Sequence, residues 1–489
     1  MPIRRALPFL LILAAAACRP ATAPVSASAA AAGGEGRGRL VVRTPEAVTN
    51  ALVDDLQRRS FQFFWETTNP ANGLVHDRWP TPSFSSIAAV GFGLTVYPVG
   101  AERGWITREQ ARERVLTTLE FFRNAPQGPA AEGMTGHKGF YYHFLDMQTG
   151  ARYRDVELST IDTTLLLAGA LFCQSYFDRN DPAEARIRDL AEELYRAADW
   201  TFFLTRPPRI SMAWKPESGF GVADWRGLNE GAILYILALG SPTHPVTKAS
   251  WEAWTSTYQW RSFYGYEHVN FGPLFGHQYS HIWIDFRGIK DDYFRAKGID
   301  FFENSRRAVY SQQAYAIDNP GAWRGYGADI WGLTACDGPG DGTAFFDGRE
   351  RLFWSYSARA AAANEIRDDG TIAPTAAAAS IAFAPEIAIP AIQAMKDRYG
   401  ARLYQKYGFL DSFNPSLRTP PPFKMLHGTI DPELGWFDGD YLGIDQGPIV
   451  LMIENYRTGL IWDVMKKNPH IVRGLRQAGF AGGWLETVP

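Results

Sequence analysis

Residues 159–177 read STIDTTLLLAGALFCQSYF, and the part that follows Asp162 carries no charged side chain. A helix that is apolar on every side is buried on every side. The sequence therefore predicts that this stretch forms a helix enclosed by other helices. Further uncharged, apolar stretches lie at residues 86–96, 231–240, 447–453, 330–336 and 387–395, the last two being shorter or interrupted by proline.

Helices of a second type lie between the apolar stretches and have one charged face. Thr107 and Gln110 form a capping box, which predicts a helix over residues 108–123. Asp181-Pro182 is typical of a helix start and predicts a helix over residues 183–204. Alternating strand patterns are scarce. The sequence thus predicts an all-α fold, an α/α toroid with an inner and an outer ring of helices.

The toroid is expected as one domain over residues 46–489, with two stacked helical domains as the alternative. Residues 1–18 have the pattern of an export signal, because two arginines precede an apolar run that is too short to span a bilayer. The run ends in Ala15-Ala16-Ala17-Cys18, which resembles a bacterial lipoprotein signal with a lipidated Cys18. A plain secretory signal is the alternative. Residues 19–45, rich in Ala, Gly and Pro, are expected to form a flexible tether.

These features predict an exported, lipid-anchored protein of the periplasm or outer membrane, with no contact to the membrane beyond the anchor. The formal net charge is −3, from 49 Lys and Arg against 52 Asp and Glu, so a nucleic-acid partner is not expected. Cys173 and Cys336 are too few for a disulfide framework, and sequence alone does not decide whether they pair.

Histidines at positions 277 and 281 are one helical turn apart, and Asp285 follows one turn later. Together they could hold a metal ion on one helix face. Gly and Pro residues surround them and the metalloprotease glutamate is missing, so structural or sugar-binding histidines fit better. We expect no metal site.

Acidic residues stand where the apolar stretches begin, at Asp162, Glu230, Asp329, Glu386 and Asp445. An acid in a first turn can simply cap its helix. In a toroid, however, helix N-termini can converge at one end, where these acids would line a single cavity. Aromatic residues make up 14% of the chain and include 16 Trp, many of them beside Gly, Pro and acids. Paired carboxyl groups in an aromatic cleft are what glycoside hydrolysis uses.

Glu230 is the strongest candidate for the general acid. A helix N-terminus lowers the pKa of a carboxyl group, whereas a general acid needs a raised pKa. We expect burial by Trp214 and Trp225, or the like charge of Glu217, to supply that increase.

Several motifs then identify a family resemblance across nearly the whole chain. They lie at residues 159–171, 229–245, 275–288, 303–307, 331–339, 369–375 and 442–448. With these motifs the sequence resembles glycoside hydrolase family 144 and the related glucoamylase-like domain of cyclic β-1,2-glucan synthases.

The resemblance implies an (α/α)6 barrel that hydrolyses β-1,2-glucan to sophorose and short sophoro-oligosaccharides, with inversion and without a cofactor. It implies Glu230 as the general acid and places Asp162 in an acidic cluster at the cleft. Asp445, Glu157 and Asp155 are the candidates for the base or for its support.

The remaining candidate substrate contacts are aromatic and polar residues close to these acids. They are Trp214, Glu217, Trp225, His277, Gln278, Tyr326, Trp331, Asp337 and Trp436. Two other functions stay open at this point. One is a glycan-binding lipoprotein that does not cut its ligand, and the other is a toroid hydrolase that acts on a different β-glycan.

Overall fold

Helices dominate the structure, a computed structural model that describes residues 51–489. The predicted signal, its Cys18 and the tether lie outside the described residues. One compact unit spans Thr49–Pro489. Within the described range the α-helices are α1 (Ala51–Thr67), α2 (Ile87–Glu102), α3 (Arg108–Asn124), α4 (Thr160–Tyr176), α5 (Pro182–Ala197), α6 (Ala232–Gly240), α7 (Lys248–Thr255), α8 (Phe275–Trp283), α9 (Asp292–Lys297), α10 (Phe301–Asp318), α11 (Pro374–Ala378), α12 (Pro385–Tyr399), α13 (Gly443–Arg457), α14 (Leu460–Met465) and α15 (Pro469–Ala478).

The inner ring is formed by α2, α4, α6, α8, α11 and α13, whose residues are nearly all buried. Each inner helix follows an amphipathic outer helix in the chain, and these are α1, α3, α5, α7, α10 and α12. Inner neighbours pack together, α2 against α4 and α13, α4 against α6, and α13 against α8 and α11.

Hydrogen bonds close the rest of the ring. The Ser280 hydroxyl on α8 donates to the Glu230 carbonyl at 2.8 Å and accepts the Ile233 N–H at 3.0 Å, which joins α8 to α6. The Gln278 amide donates to the Ala376 carbonyl at 2.9 Å and joins α8 to α11. The predicted (α/α)6 toroid is confirmed.

Two glycines explain why α2 and α4 lie so close together. A Cβ atom at Gly169 would stand 2.2 Å from the Gly91 carbonyl oxygen, and one at Gly91 would stand 2.2 Å from the Leu165 carbonyl oxygen. Only a residue without a side chain allows two backbones to approach in this way. The glycine in the quoted stretch therefore sets the spacing of the inner ring.

Local sequence signals place several helix ends correctly. Thr107 and Gln110 form the predicted capping box at the start of α3, and Asp181 caps α5 through the N–H groups of residues 183 and 184. The predicted end of α5 at residue 204 is wrong, because the helix ends at Ala197 and a separate 3-10 turn covers Trp200–Phe203.

Two of the predicted inner helices are wrong. Residues 330–336 contain no helix, and residues 387–395 lie on α12, an outer helix whose Glu386 and Pro390 are exposed. The inner position is taken instead by α11, a five-residue helix that contains three alanines and is fully buried. Its small side chains give no strong hydrophobic signal, which is why the sequence pattern missed it.

Short antiparallel strands lie at the end of the barrel where the inner helices begin. Ser85–Ser86 leads directly into α2, Leu158–Ser159 into α4, and Tyr441–Leu442 into α13, so strand pairing anchors three helix N-termini. The strands are β1 (Arg78–Trp79), β2 (Ser85–Ser86), β3 (Gly136–His137), β4 (Phe140–Tyr141), β5 (Phe144–Leu145), β6 (Leu158–Ser159), β7 (Ala213–Lys215), β8 (Gly219–Phe220), β9 (Trp260–Phe263), β10 (Tyr266–Val269), β11 (Ala335–Cys336), β12 (Gly342–Phe346), β13 (Arg349–Phe353), β14 (Ser357–Ala358), β15 (Ala360–Ala362), β16 (Glu365–Arg367), β17 (Tyr404–Gln405), β18 (Gly408–Phe409), β19 (Phe413–Asn414), β20 (Thr429–Asp431), β21 (Gly435–Phe437) and β22 (Tyr441–Leu442).

The opposite end of the barrel is covered by α14, which packs against α4, α8 and α13. Trp462 on α14 donates its indole N–H to the His281 carbonyl in the last turn of α8, at 2.6 Å. Cys173 and Cys336 are buried free thiols. Among the helices of residues 51–489, none combines the length and the apolarity that a membrane span requires.

Candidate active site

Three acids lie at the N-terminal ends of inner helices. Asp162 is in the first turn of α4, Glu230 stands two residues before α6, and Asp445 is in the first turn of α13. All three residues are buried, with 8%, 7% and 3% of their surface exposed. Asp329 and Glu386, which the sequence grouped with them, are exposed and begin no inner helix.

Glu230 has the protonation behaviour of a general acid. Burial raises its pKa to about 7 and the charge of Asp162 adds to that effect, while a backbone N–H works against both. Burial is the main cause, as expected, but the like charge is not that of Glu217. Glu217 is ion-paired with Arg152 at 2.6 Å and is half-exposed, and it is the charge of Asp162 that acts on Glu230.

A histidine that the sequence analysis missed connects two of the acids. His143 Nδ1 lies 2.8 Å from Glu157 Oε1, and its Nε2 lies 3.5 Å from Asp162 Oδ1. Burial opposes the charged imidazole, but the charges of Asp162 and Glu157 outweigh it and raise the pKa of His143 to about 9. We call Glu157, His143, Asp162 and Glu230 the histidine-bridged acids.

The positive charge of His143 lowers the pKa values of the Glu157 and Asp162 carboxyl groups. Burial raises the pKa of Glu157, but the charge of His143 and its hydrogen bond prevail and lower that pKa to about 2. Burial keeps the pKa of Asp162 raised, although His143 and the Ser159 hydroxyl both lower it. Strand pairing explains the geometry, because the antiparallel bridge between Tyr142 and Leu158 sets His143 opposite Glu157.

A second group of acids gathers around Arg78 and is here named the aspartate cluster. Its members stand at the ends of short strands or at the start of α13, and they are Asp77, Asp337, Asp411, Asp438, Asp440 and Asp445. Arg78 Nη1 lies 2.6 Å from Asp337 and 3.9 Å from Asp440, and Arg78 Nε lies 3.5 Å from Asp77. The Asp337 N–H donates to Asp411 Oδ2 at 2.7 Å.

One arginine does not balance six carboxyl groups, so protons are retained there. Burial raises the pKa of Asp445 to about 7, against a hydrogen bond from Asp411. Burial, and then the charge of Asp445, raise the pKa of Asp411 far above its usual range, so Asp411 holds the proton that the two share. Burial and the neighbouring aspartates raise the pKa of Asp438 in the same direction.

Tyr279 stands between the two groups. Burial raises its pKa, and the charges of Asp445, Glu230 and Asp162 all add to the increase, so the ring faces both sets of acids. Its hydroxyl donates to the Ile444 carbonyl at 3.0 Å. The two groups of acids therefore both lie near Tyr279, at the end of the barrel where α4, α6 and α13 begin.

Within the described residues, the atoms of Asp337, His427 and Asp438 lie within 4.8 Å of one another and form a set that could hold a metal ion. Arg78 already occupies this position, with Nη1 at 2.6 Å from Asp337 and 3.3 Å from His427 Nδ1. The sequence pair His277 and His281 does not form such a set. His277 Nε2 bonds the Phe271 carbonyl, and His281 Nε2 bonds the Ser305 hydroxyl.

Several of the predicted substrate contacts have side chains that pack in the core. Trp225 donates its indole N–H to Thr160 Oγ1 at 2.9 Å, and Trp436 donates to the His427 carbonyl at 2.9 Å. Trp331 is fully buried, and Gln278 is buried between the inner helices. His277 is also buried. These large side chains fill gaps between the elements of the barrel.

The remaining predicted contacts lie nearer to the surface. Trp214 on β7 is half-buried and packs against His137, with ring centroids 5.1 Å apart. Tyr326 is half-buried and donates its hydroxyl to Asp368 at 2.7 Å. Asp155 is exposed and lies 4.0 Å from Lys215. It therefore lacks the buried environment of Asp162, Glu230 and Asp445. Asp337 is fully buried as the main partner of Arg78.

Half-buried aromatic rings beside His143 were also missed. Phe84 packs against Phe144 and Tyr153 at centroid distances of 4.3 and 4.6 Å, and Phe144 stacks on the His143 ring at 3.9 Å. They lie between helices, in short strands and turns, where no pattern marks them. Asp77, Asp411 and Asp438 were missed for the same reason, since the search for acids was confined to helix starts.

An inner ring of helices whose N-termini hold buried, proton-retaining carboxyl groups defines a carboxylate-lined (α/α)6 toroid. The family model for the Glycoamylase family, described as "Putative glucoamylase", matches residues 223–469. The chain belongs to this family. The resemblance identified from the sequence motifs is confirmed.

Known proteins are similar over most of the chain. A structure from Bacteroides uniformis, described as a "putative glucoamylase", is 32% identical, with a TM-score of 0.75 over 88% of this chain and 98% of that one. An endo-β-1,2-glucanase from Chitinophaga pinensis, in complex with sophorotriose and glucose, is 27% identical, with a TM-score of 0.74 over 89% and 99%.

A curated relative differs in length. It is an exo-β-1,2-glucooligosaccharide sophorohydrolase (non-reducing end) from Parabacteroides distasonis, 28% identical over 461 residues. The match covers 87% of this chain, which spans 57% of the length of that relative.

Proposed function

We propose that the protein hydrolyses β-1,2-glucan to sophorose and short sophoro-oligosaccharides, with Glu230 as the general acid and Asp445 as the base. The observation that carries this proposal is the state of Glu230, a buried carboxyl group at the start of an inner helix whose pKa of about 7 leaves about half of the molecules protonated at pH 7 and most of them at lower pH. A protein that only binds glycans has no use for such a group. The β-1,2-glucan specificity rests on the similarity to the Chitinophaga and Parabacteroides enzymes.

The proposed reaction is a single displacement with inversion at the anomeric carbon. The Glu230 carboxyl O–H gives its proton to the glycosidic oxygen as the bond from that oxygen to the anomeric carbon breaks. A water molecule attacks from the opposite face and forms the new carbon–oxygen bond, while the Asp445 carboxylate takes the proton that the water releases. One water is consumed for each bond cut, and exchange with solvent restores both carboxyl groups.

Asp445 is the preferred base because of its surroundings. Its buried Oδ2 accepts no hydrogen bond from an N–H or hydroxyl group of the described residues, and Asp411 holds the proton that the two acids share. The protonated Asp411 hydrogen-bonds to Asp445 and favours its carboxylate form. For contact with sugar rings, Phe84, Phe144 and Tyr153 offer half-buried aromatic faces next to Asp162 and His143.

The test is incubation of the mature protein with linear β-1,2-glucan and with β-1,3-, β-1,4- and β-1,6-glucans, followed by measurement of new reducing ends. We expect products from β-1,2-glucan alone. Sophorose as the sole early product would indicate exo action, and a ladder of oligosaccharides would indicate endo action. Product from another glucan only, or binding without any product, would contradict the proposal.

Glu230→Gln is expected to lower kcat by about 10²- to 10⁴-fold while substrate binding persists, because the amide has no acidic proton to transfer. Glu454→Gln is the matched control. Glu454 is a buried glutamate on α13 at the opposite end of the barrel, bonded to Gln57 at 2.9 Å and Arg103 at 2.7 Å. Its replacement should lower stability and leave kcat unchanged.

A lipid anchor at Cys18 is part of the same proposal, supported by the sequence of residues 1–18. The expected result is that the protein sediments with membranes and that its N-terminal peptide carries acyl chains by mass spectrometry. Cys18→Ser should abolish acylation and leave the unprocessed precursor. A wild-type protein that is soluble and unacylated after export would support the plain secretory signal instead.

A further inference from the structure

The His143 ring is held in a fixed position from several sides. Its backbone N–H donates to the Glu157 carbonyl at 3.0 Å, and its own carbonyl accepts the Ile87 N–H at 3.3 Å. Phe144 stacks on one face of the ring. Glu157 contacts Nδ1 and so directs Nε2 towards Asp162. A histidine fixed in this way is oriented for a purpose beyond filling space.

We propose that His143 is a positioning residue of the hydrolytic site, acting as a fixed cation that keeps Asp162 ionised so that Asp162 in turn keeps the catalytic proton on Glu230. This inference rests on the proposed function of Glu230 as the general acid. His143 itself touches neither the substrate bond nor the attacking water in this scheme.

The groups that face His143 account for its charge. Glu157, Asp162 and Asp77 are acidic and act on it together, and they raise its pKa to about 9 in spite of burial. Two further cations act on the acids around His143, Lys215 on Glu157 and Arg78 on Asp77. Among the described residues His143 is the one cation in contact with Asp162. The groups that face Glu230 are Asp162, a backbone N–H and Tyr279.

Removal of the positive charge at His143 should shift a proton from Glu230 to Asp162. Asp162 would retain the Ser159 hydroxyl and its own backbone N–H as partners, next to the charge of Glu157, and its affinity for a proton would rise. Asp162 and Glu230 interact, so a proton bound to Asp162 removes the charge that keeps Glu230 protonated. The shared proton then resides on Asp162, and Glu230 loses its acidic hydrogen at a lower pH.

The experiment compares pH profiles of kcat/KM for β-1,2-glucan hydrolysis by the wild type and His143→Gln. We expect the basic limb to move to lower pH by roughly one unit, with a loss of about tenfold at pH 7.5 and a smaller loss at pH 5.5. His143→Lys should return the limb towards its original position, because it restores a cation. A limb that stays in place, or that moves to higher pH, would overturn the inference.

His470→Gln is the matched control. His470 is also buried and lies 2.6 Å from a carboxylate, that of Glu192, but on α15 and far from the inner-helix N-termini. Its loss should lower stability without moving the pH profile. A shift of the limb in this control as well would assign the effect of His143→Gln to general loosening of the fold.

A second measurement does not depend on activity. The ¹⁵N shifts of the His143 ring in the wild type should report a protonated imidazole at pH 8, and Asp162→Asn should lower the pKa of that ring. A neutral His143 ring at pH 7 would overturn the inference even if the enzyme is active. A charged ring in a protein that cuts no β-1,2-glucan would instead contradict the proposed function.

Discussion

The histidine-bridged acids and the aspartate cluster lie at the same end of the barrel but manage their charge in opposite ways. In the first group an imidazolium stands between Glu157 and Asp162, at 2.8 and 3.5 Å. In the second group Arg78 contacts three of the six aspartates and makes its short contact with Asp337 only. The first group is therefore close to charge balance, whereas the second has a large excess of carboxyl groups.

The difference shows how one fold can keep an acid and a base apart. Near His143 each site has a defined state, since Glu157 has a pKa of about 2 and His143 a pKa of about 9. In the aspartate cluster the excess charge is relieved by protons, so Asp411 holds one for Asp445. A proton held at Glu230 suits a general acid, and a carboxylate beside a neutral partner suits a base.

The largest expected effect comes from removal of the proposed base. Asp445→Asn should lower kcat by about 10²- to 10⁴-fold, since an amide cannot accept a proton from water. Substrate binding should change little, because the amide keeps the size of the side chain. Steady-state kinetics on β-1,2-glucan, with binding measured separately by calorimetry, would check this.

Asp411→Asn serves as the comparison variant for Asp445→Asn. An amide at position 411 mimics the protonated acid, because its oxygen can accept the Asp337 N–H and its NH₂ group can donate to Asp445. We expect a loss of no more than about tenfold. Equal losses in the two variants would contradict the assignment of Asp445 as the base. Asp411 would then be the base and Asp445 its partner.

The sequence predicted the ring of helices because the ring follows from local rules. An uncharged stretch such as residues 163–177 has to be buried, and caps such as Thr107 and Asp181 mark helix starts by their own hydrogen bonds. The inner helix α11 escaped prediction because it is five residues long and rich in alanine. Tertiary packing, and not its own pattern, makes it helical.

Prediction of the site was less complete, because the residues that contact the predicted acids lie on strands and turns elsewhere in the sequence. Glu230, Asp162 and Asp445 could be predicted to lie together because all three stand where inner helices begin. His143 meets Asp162 through strand pairing, and Asp411 meets Asp337 across 74 residues of sequence. The tryptophans show the opposite error. A ring beside Gly and an acid looks exposed in sequence, yet Trp331 and Trp436 are fully buried.

The last effects concern stability, and they separate the two groups by the sign of their pH dependence. Burial raises the pKa of Asp77 to about 6 from 3.8, so its contribution to stability is fully present below pH 3.8 and is lost as the pH rises through 6. For Glu157, with a pKa lowered to about 2 from 4.5, stability is present above pH 4.5 and is lost as the pH falls through 2.

The corresponding variants should therefore respond in opposite directions between pH 3.5 and pH 7. Relative to the wild type, Asp77→Asn should gain about 3 kcal/mol in the free energy of unfolding over this interval, because the cost of ionising a buried Asp77 is removed. Glu157→Gln should lose about 1 to 3 kcal/mol over the same interval, because its charged hydrogen bond to His143 is gone. Urea unfolding at the two pH values measures both quantities.

If Asp77→Asn instead loses stability at pH 7, then Arg78 stabilises the Asp77 carboxylate more than burial opposes it. The aspartate cluster would then be balanced by charge in the same way as the histidine-bridged acids.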